Sequence, residues 1–146
     1  MKLSTRTRYG TRLMLALALH HGGGPVDIKG IAQLEEISEK YLGQIIIPLK
    51  NAGLVRAFRG ARGGYTLSRE PKDITLYDIA DVLEGGFDLV DCLGDPTKCK
   101  RFSTCVTSQI WGNLRNVMIK ELKSVTLQDL AEKFREKRQH HFAYEI

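Results

Sequence analysis

Apolar residues recur at three- and four-residue steps through the first fifty positions, and then the period shortens. Tyr9, Leu13, Ala16 and Leu17 share one face of a helix expected over residues 5–21, and Gly22-Gly23-Gly24-Pro25 stops it. A short helix is expected over 27–35, with Asp27 as N-cap and Ile28, Ile31, Ala32 and Leu34 inward. A third starts at Ser38, buries Leu42, Ile45, Ile46 and Leu49, and ends near Ala52-Gly53, where Gly53 suits the left-handed stop position. Pro48 deletes one backbone hydrogen bond and is expected to kink the last turn of this helix. Residues 54–59 alternate as a strand does, Gly60-Ala61-Arg62-Gly63-Gly64 reads as a turn, and Tyr65-Thr66-Leu67 as the returning strand. Three helices followed by a hairpin with arginines at its tip is the winged helix-turn-helix order.

Beyond the hairpin, Thr75 caps a helix expected over 76–84 with Ile79, Ala80 and Leu83 inward, and Gly85-Gly86 ends it. A loop of about twenty residues then holds every cysteine, a length that usually signals a purpose. A long helix is expected over 106–124, where Trp111, Leu114, Met118, Leu122 and Val125 form a seam suited to a partner helix. Thr126 caps a last helix over 127–137, and Arg138-Gln139-His140-His141 is polar enough to fray. No internal repeat stands out. The expected fold is mainly α with a small β wing: a winged helix-turn-helix domain over 1–84, a cysteine loop over 85–105, a dimerisation helix and short C-terminal helix over 106–137, and a tail over 138–146.

Charge sharpens this picture. The net charge of the 146 residues is +5, but residues 1–69 carry eleven Lys/Arg against four Asp/Glu, and the remainder eleven against thirteen. A basic front half suits a polyanion and an acidic rear half does not. Lys2, Arg6, Arg8 and Arg12 before the apolar run 13–19 imitate a secretory leader, but the run is short and reads better as a helix face. With no run approaching the ~20 apolar residues of a membrane span, a cytoplasmic protein without membrane contact is expected. No nucleophile–base constellation is present and the four histidines sit as two adjacent pairs, so an enzyme is not expected.

The partner this charge fits is double-stranded DNA. Ser38, Glu39, Lys40, Tyr41 and Gln44 occupy the first turns of the third helix, where short polar side chains reach base edges. Gln44 can pair bidentately with adenine, while Lys40 and Tyr41 suit phosphates or a groove edge. Arg59 and Arg62 at the wing tip suit the minor groove or backbone, and Ser4, Arg6 and Arg8 at the start of the first helix suit phosphates. The cysteines are spaced Cys92-x6-Cys99-x5-Cys105 beside Lys98, Lys100 and Arg101. Three thiolates on one loop can converge on an iron–sulfur cluster or zinc, and nearby cations help keep them deprotonated; redox-reactive free thiols are the alternative.

Several segments together resemble the bacterial IscR-type iron–sulfur regulators, relatives of the nitric-oxide sensor NsrR. They are Met1-Lys2-Leu3-Ser4 with Arg8-Tyr9, Tyr41-Leu42 with Gln44, Asn51-Ala52-Gly53-Leu54-Val55, the wing Arg59-Gly60-Ala61-Arg62-Gly63-Gly64-Tyr65, and Cys105-Val106-Thr107 with Trp111. The resemblance implies a winged-helix homodimer joined through the long helix, acting as repressor or activator at a near-palindromic operator of cluster-assembly genes. It implies a 2Fe-2S cluster on Cys92, Cys99 and Cys105, groove-facing Ser38, Lys40, Tyr41 and Gln44, and a wing contact from Arg59. IscR proper supplies a histidine three residues after the last cysteine, where this chain has Ser108, a weak oxygen donor. NsrR uses an aspartate where this chain has Arg8, and IscR has a glutamate where this chain has Gly43. A regulator sensing redox through free thiols or a small effector, without a cluster, is the rival reading.

Overall fold

The computed structural model describes residues 2–144. The chain runs through α1 (Thr5–Leu19), α2 (Ile28–Glu35), α3 (Glu39–Asn51), β1 (Val55–Phe58), β2 (Gly64–Leu67), α4 (Leu76–Glu84), α5 (Asp91–Gly94), α6 (Val106–Ser124) and α7 (Leu127–Tyr144). Short 3-10 turns occupy Pro71–Asp73, Pro96–Lys98 and Phe102–Thr104. This is the winged-helix order, mostly helical with one two-stranded antiparallel sheet.

The core forms where α1 crosses α3 and α4. Leu13, Met14 and Leu17 of α1, Leu42, Ile45 and Leu49 of α3, and Ile79 of α4 are almost wholly buried, joined by Ile74 and Leu127. Such positions recur at helical steps, so each helix offers one apolar stripe to a shared centre. Gly10 lets α1 and α4 close: a Cβ there would overlap Cδ1 of Leu83 and stand 3.3 Å from Ile45. At the front of α1 the Ser4 hydroxyl oxygen accepts from the Thr7 N–H (3.1 Å), capping the helix. The Ser4 backbone N–H and hydroxyl both donate to the Glu84 carboxylate at the end of α4, each at 2.8 Å. The Thr7 hydroxyl, followed by these Ser4 bonds, holds the Glu84 carboxyl below its ordinary value of 4.5, against the opposing effect of burial.

The hairpin pairs Val55 with Leu67 and Phe58 with Gly64. A third segment joins it, because Val26 exchanges two 2.9 Å backbone bonds with Tyr65. Gly64, at φ 149°, sits so close that a Cβ would run into the Val26 carbonyl.

The start of α7 is docked on the start of α4. The Leu76 N–H donates to the Val125 carbonyl (2.8 Å) and the Leu127 N–H to the Ile74 carbonyl (2.9 Å). Each helix opens with a reciprocal cap, Thr75 with Asp78 and Thr126 with Asp129, at 2.9 and 3.1 Å in both. The pattern Ile/Val-Thr-Leu-x-Asp thus occurs at 74–78 and again at 125–129, a short repeat that inspection of the sequence passes over.

Three expectations need correction. Leu34, expected inward, is 72% exposed, because α2 turns only Ile31 and Ala32 fully into the core. The cysteine loop is not irregular throughout but folded into α5 and two 3-10 turns. The last helix does not stop at 137; it runs through Arg138-Gln139-His140-His141 to Tyr144, as nothing in that stretch breaks a helix. The expected tail 138–146 is therefore helical over its described residues, and 145–146 lie outside them.

Gly10→Ala should lower stability by about 1–3 kcal/mol through overpacking, despite alanine's better helix propensity, as read by urea denaturation. The Glu84 carboxyl, depressed in the folded state, contributes stability that is present above the ordinary glutamate value and lost as pH falls through its folded one. Stability of Glu84→Gln measured against pH should therefore fall less steeply than wild type below about 4.5.

Candidate nucleic-acid interface and cysteine segment

The helix-turn-helix is α2 and α3, joined through Glu36 in a left-handed conformation (φ 55°). Ser38 caps α3 by accepting from the Tyr41 N–H at 3.0 Å. With Leu42, Ile45, Ile46 and Leu49 buried, the opposite face must point outward, and Glu39, Lys40, Gln44, Ile47, Lys50 and Asn51 are all exposed there. Tyr41 is only half-exposed: its ring meets Tyr9 edge-on, with centroids 5.9 Å apart and planes at 85°. This contact sets the rotation of α3 against α1. Arg12 sets α2 in the same way, donating from Nε to the Glu35 carboxylate (2.6 Å) and from a terminal nitrogen to the Glu35 carbonyl (3.0 Å).

The wing and recognition helix adjoin. A shallow depression of about 540 Å³ is lined by Glu39, Lys40 and Gly43 of α3, Ile28 of α2 and Tyr65 of β2. Arg59 and Arg62 stand exposed at the hairpin tip, and Arg6 and Arg8 are exposed on the first turn of α1. Ser4, a candidate phosphate contact, has other work: its hydroxyl caps α1 and bonds Glu84. Arg12 and Val26 brace this surface and carry no motif; only their proximity to Glu35 and Tyr65 in the fold marks them.

The cysteine segment lies against the front of α6. Asp88 accepts from Arg115 on α6 at 2.7 Å, and Gly94 packs so closely on the Asp88 carboxylate that a Cβ would collide with it. Cys92 lies within α5, Cys99 follows the turn Pro96–Lys98, and Cys105 directly precedes α6. All three thiols are free and half-buried. The Cys105 sulfur is 3.2 Å from the Thr107 hydroxyl, and bonds from Thr107 and then the Ser108 N–H draw the thiol below its ordinary value of 9.0. Ser108 itself is 6% exposed and its hydroxyl donates to the Cys105 carbonyl (2.9 Å). As soft donors on one segment the three thiols suit an iron–sulfur centre. They are not drawn into one shell: among the described residues no three His, Cys, Asp or Glu side chains stand close enough to hold a metal ion.

The outward side of α6 differs from the expected seam. Val106, Ile110, Trp111, Leu114 and Val117 are exposed, whereas Met118, Leu122 and Val125 are half-buried against their own chain. Gly112, Arg115, Ile119 and Leu122 turn inward, and the expected line runs along the border between this side and the exposed stripe.

Residues 3–133 match the model of the Rrf2 family, described as iron-dependent transcriptional regulators. This chain belongs to the Rrf2 family. Accordingly it is a DNA-binding transcription regulator and not an enzyme. It is 47% identical over 131 residues to the transcriptional regulator CymR of Bacillus subtilis, covering 90% of each chain. The solved structure of that protein, described as a global cysteine regulator, superposes with TM-score 0.76 at 45% identity, covering 91% of this chain and 98% of the other. The T. potens IscR structure superposes with TM-score 0.77 at 40% identity, covering 94% and 90%. Among the described residues of this Rrf2-family chain, no helix is long and apolar enough to cross a membrane.

Breaking the Asp88–Arg115 pair should loosen the cysteine segment. Timed alkylation of Asp88→Asn, read by mass spectrometry, is expected to modify Cys92 and Cys99 roughly two- to five-fold faster than wild type, as suits a partly exposed pair. An unchanged rate would mean that the pair does not hold the segment.

Proposed function

We propose that the chain is a homodimeric, sequence-specific transcription regulator whose DNA affinity is set by an iron–sulfur cluster on Cys92, Cys99 and Cys105. One observation carries this reading: Cys105 begins the same helix that presents the exposed apolar stripe Val106, Ile110, Leu114 and Val117. Those residues recur at steps of four, four and three, a stripe that a second copy of the helix would bury. Sensor and subunit interface therefore share one rigid element. Bound, the cluster supplies a redox-active, oxygen-labile group of the 2Fe-2S kind. The chain's own residues do the rest: Asp88 and Arg115 hold the segment on α6, and Thr107 and the Ser108 N–H favour the thiolate at Cys105.

In such a dimer the two α3 helices enter successive major grooves about 34 Å apart, so the operator is a near-palindrome. Ser38, Glu39, Lys40, Tyr41 and Gln44 lie toward the groove, and Arg59, Arg62, Arg6 and Arg8 toward backbone or minor groove. Ser4 contributes by fixing the first turn of α1. Regulation needs only a difference in operator affinity between loaded and unloaded dimers. Genes for cluster assembly, including the regulator's own, are the targets that the likeness to IscR suggests.

A second reading has its own support. CymR is described as a cysteine regulator, and the Cys105 thiol is shifted toward its reactive form, so the thiols could answer oxidants or sulfur status without a cluster.

Anaerobic purification separates the two. The cluster reading expects a coloured protein with near-stoichiometric iron and sulfide, and operator affinity that changes when Cys92, Cys99 and Cys105 are all replaced by alanine. A colourless, iron-free protein whose binding follows thiol oxidation supports the second. In either case Arg59→Ala should lower the log–log salt slope of DNA binding by about one, the signature of a lost phosphate contact.

A further inference from the structure

The exposed face of α3 is polar except at its centre. Taking 100° per residue, Ile47 falls two turns after Lys40 and within about 20° of it, with Gly43 and Lys50 on one flank and Gln44 and Asn51 on the other. Opposite lie Leu42 and Leu49, both fully buried. Ile47 is 53% exposed, so a branched apolar side chain stands in water in the middle of the surface that meets DNA. It lies outside the core cluster and outside the residues packed against that cluster.

Its neighbour makes the placement more pointed. A helical side chain leans over the turn preceding its own Cα, which for Ile47 is the turn containing Gly43. Gly43 has no side chain, and no atom lies within 4 Å of where its Cβ would be. Helix backbone is therefore bare on the N-terminal side of Ile47, in the half of α3 that carries Lys40 and Gln44. A base edge can approach closely there, and the first apolar group it meets is the isoleucine. In the major groove the one apolar group on a base edge is the 5-methyl of thymine.

On the DNA-binding reading above, we infer that Ile47 is a specificity-determining residue that recognises a thymine methyl in each operator half-site, in the room left by Gly43. Lys40 and Gln44 supply polar readout or anchoring beside it; Ile47 supplies discrimination by apolar contact. Cytosine and deoxyuridine at that position lack the methyl and leave the side chain unpaired in the groove.

The test starts with selection of bound duplexes from a random-sequence pool by the full-length, anaerobically purified protein. Each thymine in the selected half-site is then replaced by deoxyuridine, and affinities are compared for wild type, Ile47→Ala and Ile47→Val. Wild type should lose about four-fold at one symmetric thymine, the effect of one methyl removed from an apolar contact. Ile47→Ala should bind thymine and deoxyuridine duplexes nearly equally, and Ile47→Val should keep most of the preference. Because the side chain is exposed, circular dichroism melting of the variants should match wild type. A selected site whose deoxyuridine scan is flat, or identical for wild type and Ile47→Ala, overturns this inference and leaves DNA binding intact. Failure to enrich any sequence overturns both.

Discussion

The contact on which the rest of the molecule depends is the close crossing of α1 over α3 and α4. Three helices meet there with Leu13, Leu17, Leu42, Ile45 and Ile79 withdrawn from water, and Gly10 removes the one atom that would hold α1 away from Leu83. Because α1 belongs to this centre, its two faces transmit position outward. Tyr9 presses on Tyr41 and Arg12 grips Glu35, so the recognition helix and the helix before it are oriented by the core rather than by their connecting turn. The polar end of α1 is closed by Ser4 and Thr7 on Glu84, which ties the first residues of the chain to the end of α4, beside the start of the cysteine segment.

That arrangement distinguishes groups that build the surface from groups left exposed on it. Val26 ties β2 to the segment before α2 through two backbone bonds to Tyr65, and Gly64 must stay bare for it to do so. On the proposed reading, nucleic acid meets the outer side chains of α3 and the arginines of the hairpin tip, which stand exposed, whereas other candidates are engaged in the fold. Ser4 shows the distinction well. Its residue type and place suit a phosphate, yet its hydrogen-bonding capacity is taken up by the fold.

Much of this was legible in the residues themselves, because the signals were local. The caps at Asp27 and Thr75, the left-handed stop at Gly53, and the helical periods of α1, α3 and α4 each need only a few neighbouring positions. What escaped was tertiary. Leu34 looks like a core residue until α2 is docked and its own turn faces outward. The seam on α6 lies at the border of the exposed stripe, because periodicity alone cannot say which stripe the parent domain takes and which it leaves. The pairing of Asp88 with Arg115, and of Val26 with Tyr65, spans distances in sequence that no local pattern encodes. At the candidate metal site, residue types and spacing show soft donors on one segment, whereas convergence of those donors is a property of coordinates.

The docked starts of α4 and α7 have a mechanical consequence. By holding the chain just beyond Ser124 to Ile74 and Leu76, the paired backbone bonds clamp the rear of α6 to the DNA-binding unit, while its front begins at Cys105. A helix of nineteen residues is a stiff rod of ~28 Å. It is held behind by the bonds around Thr75 and Thr126 and nearer its front by Asp88 on Arg115. The outer stripe from Val106 to Val117 is thereby presented on an element that spans from the thiols to the DNA-binding unit.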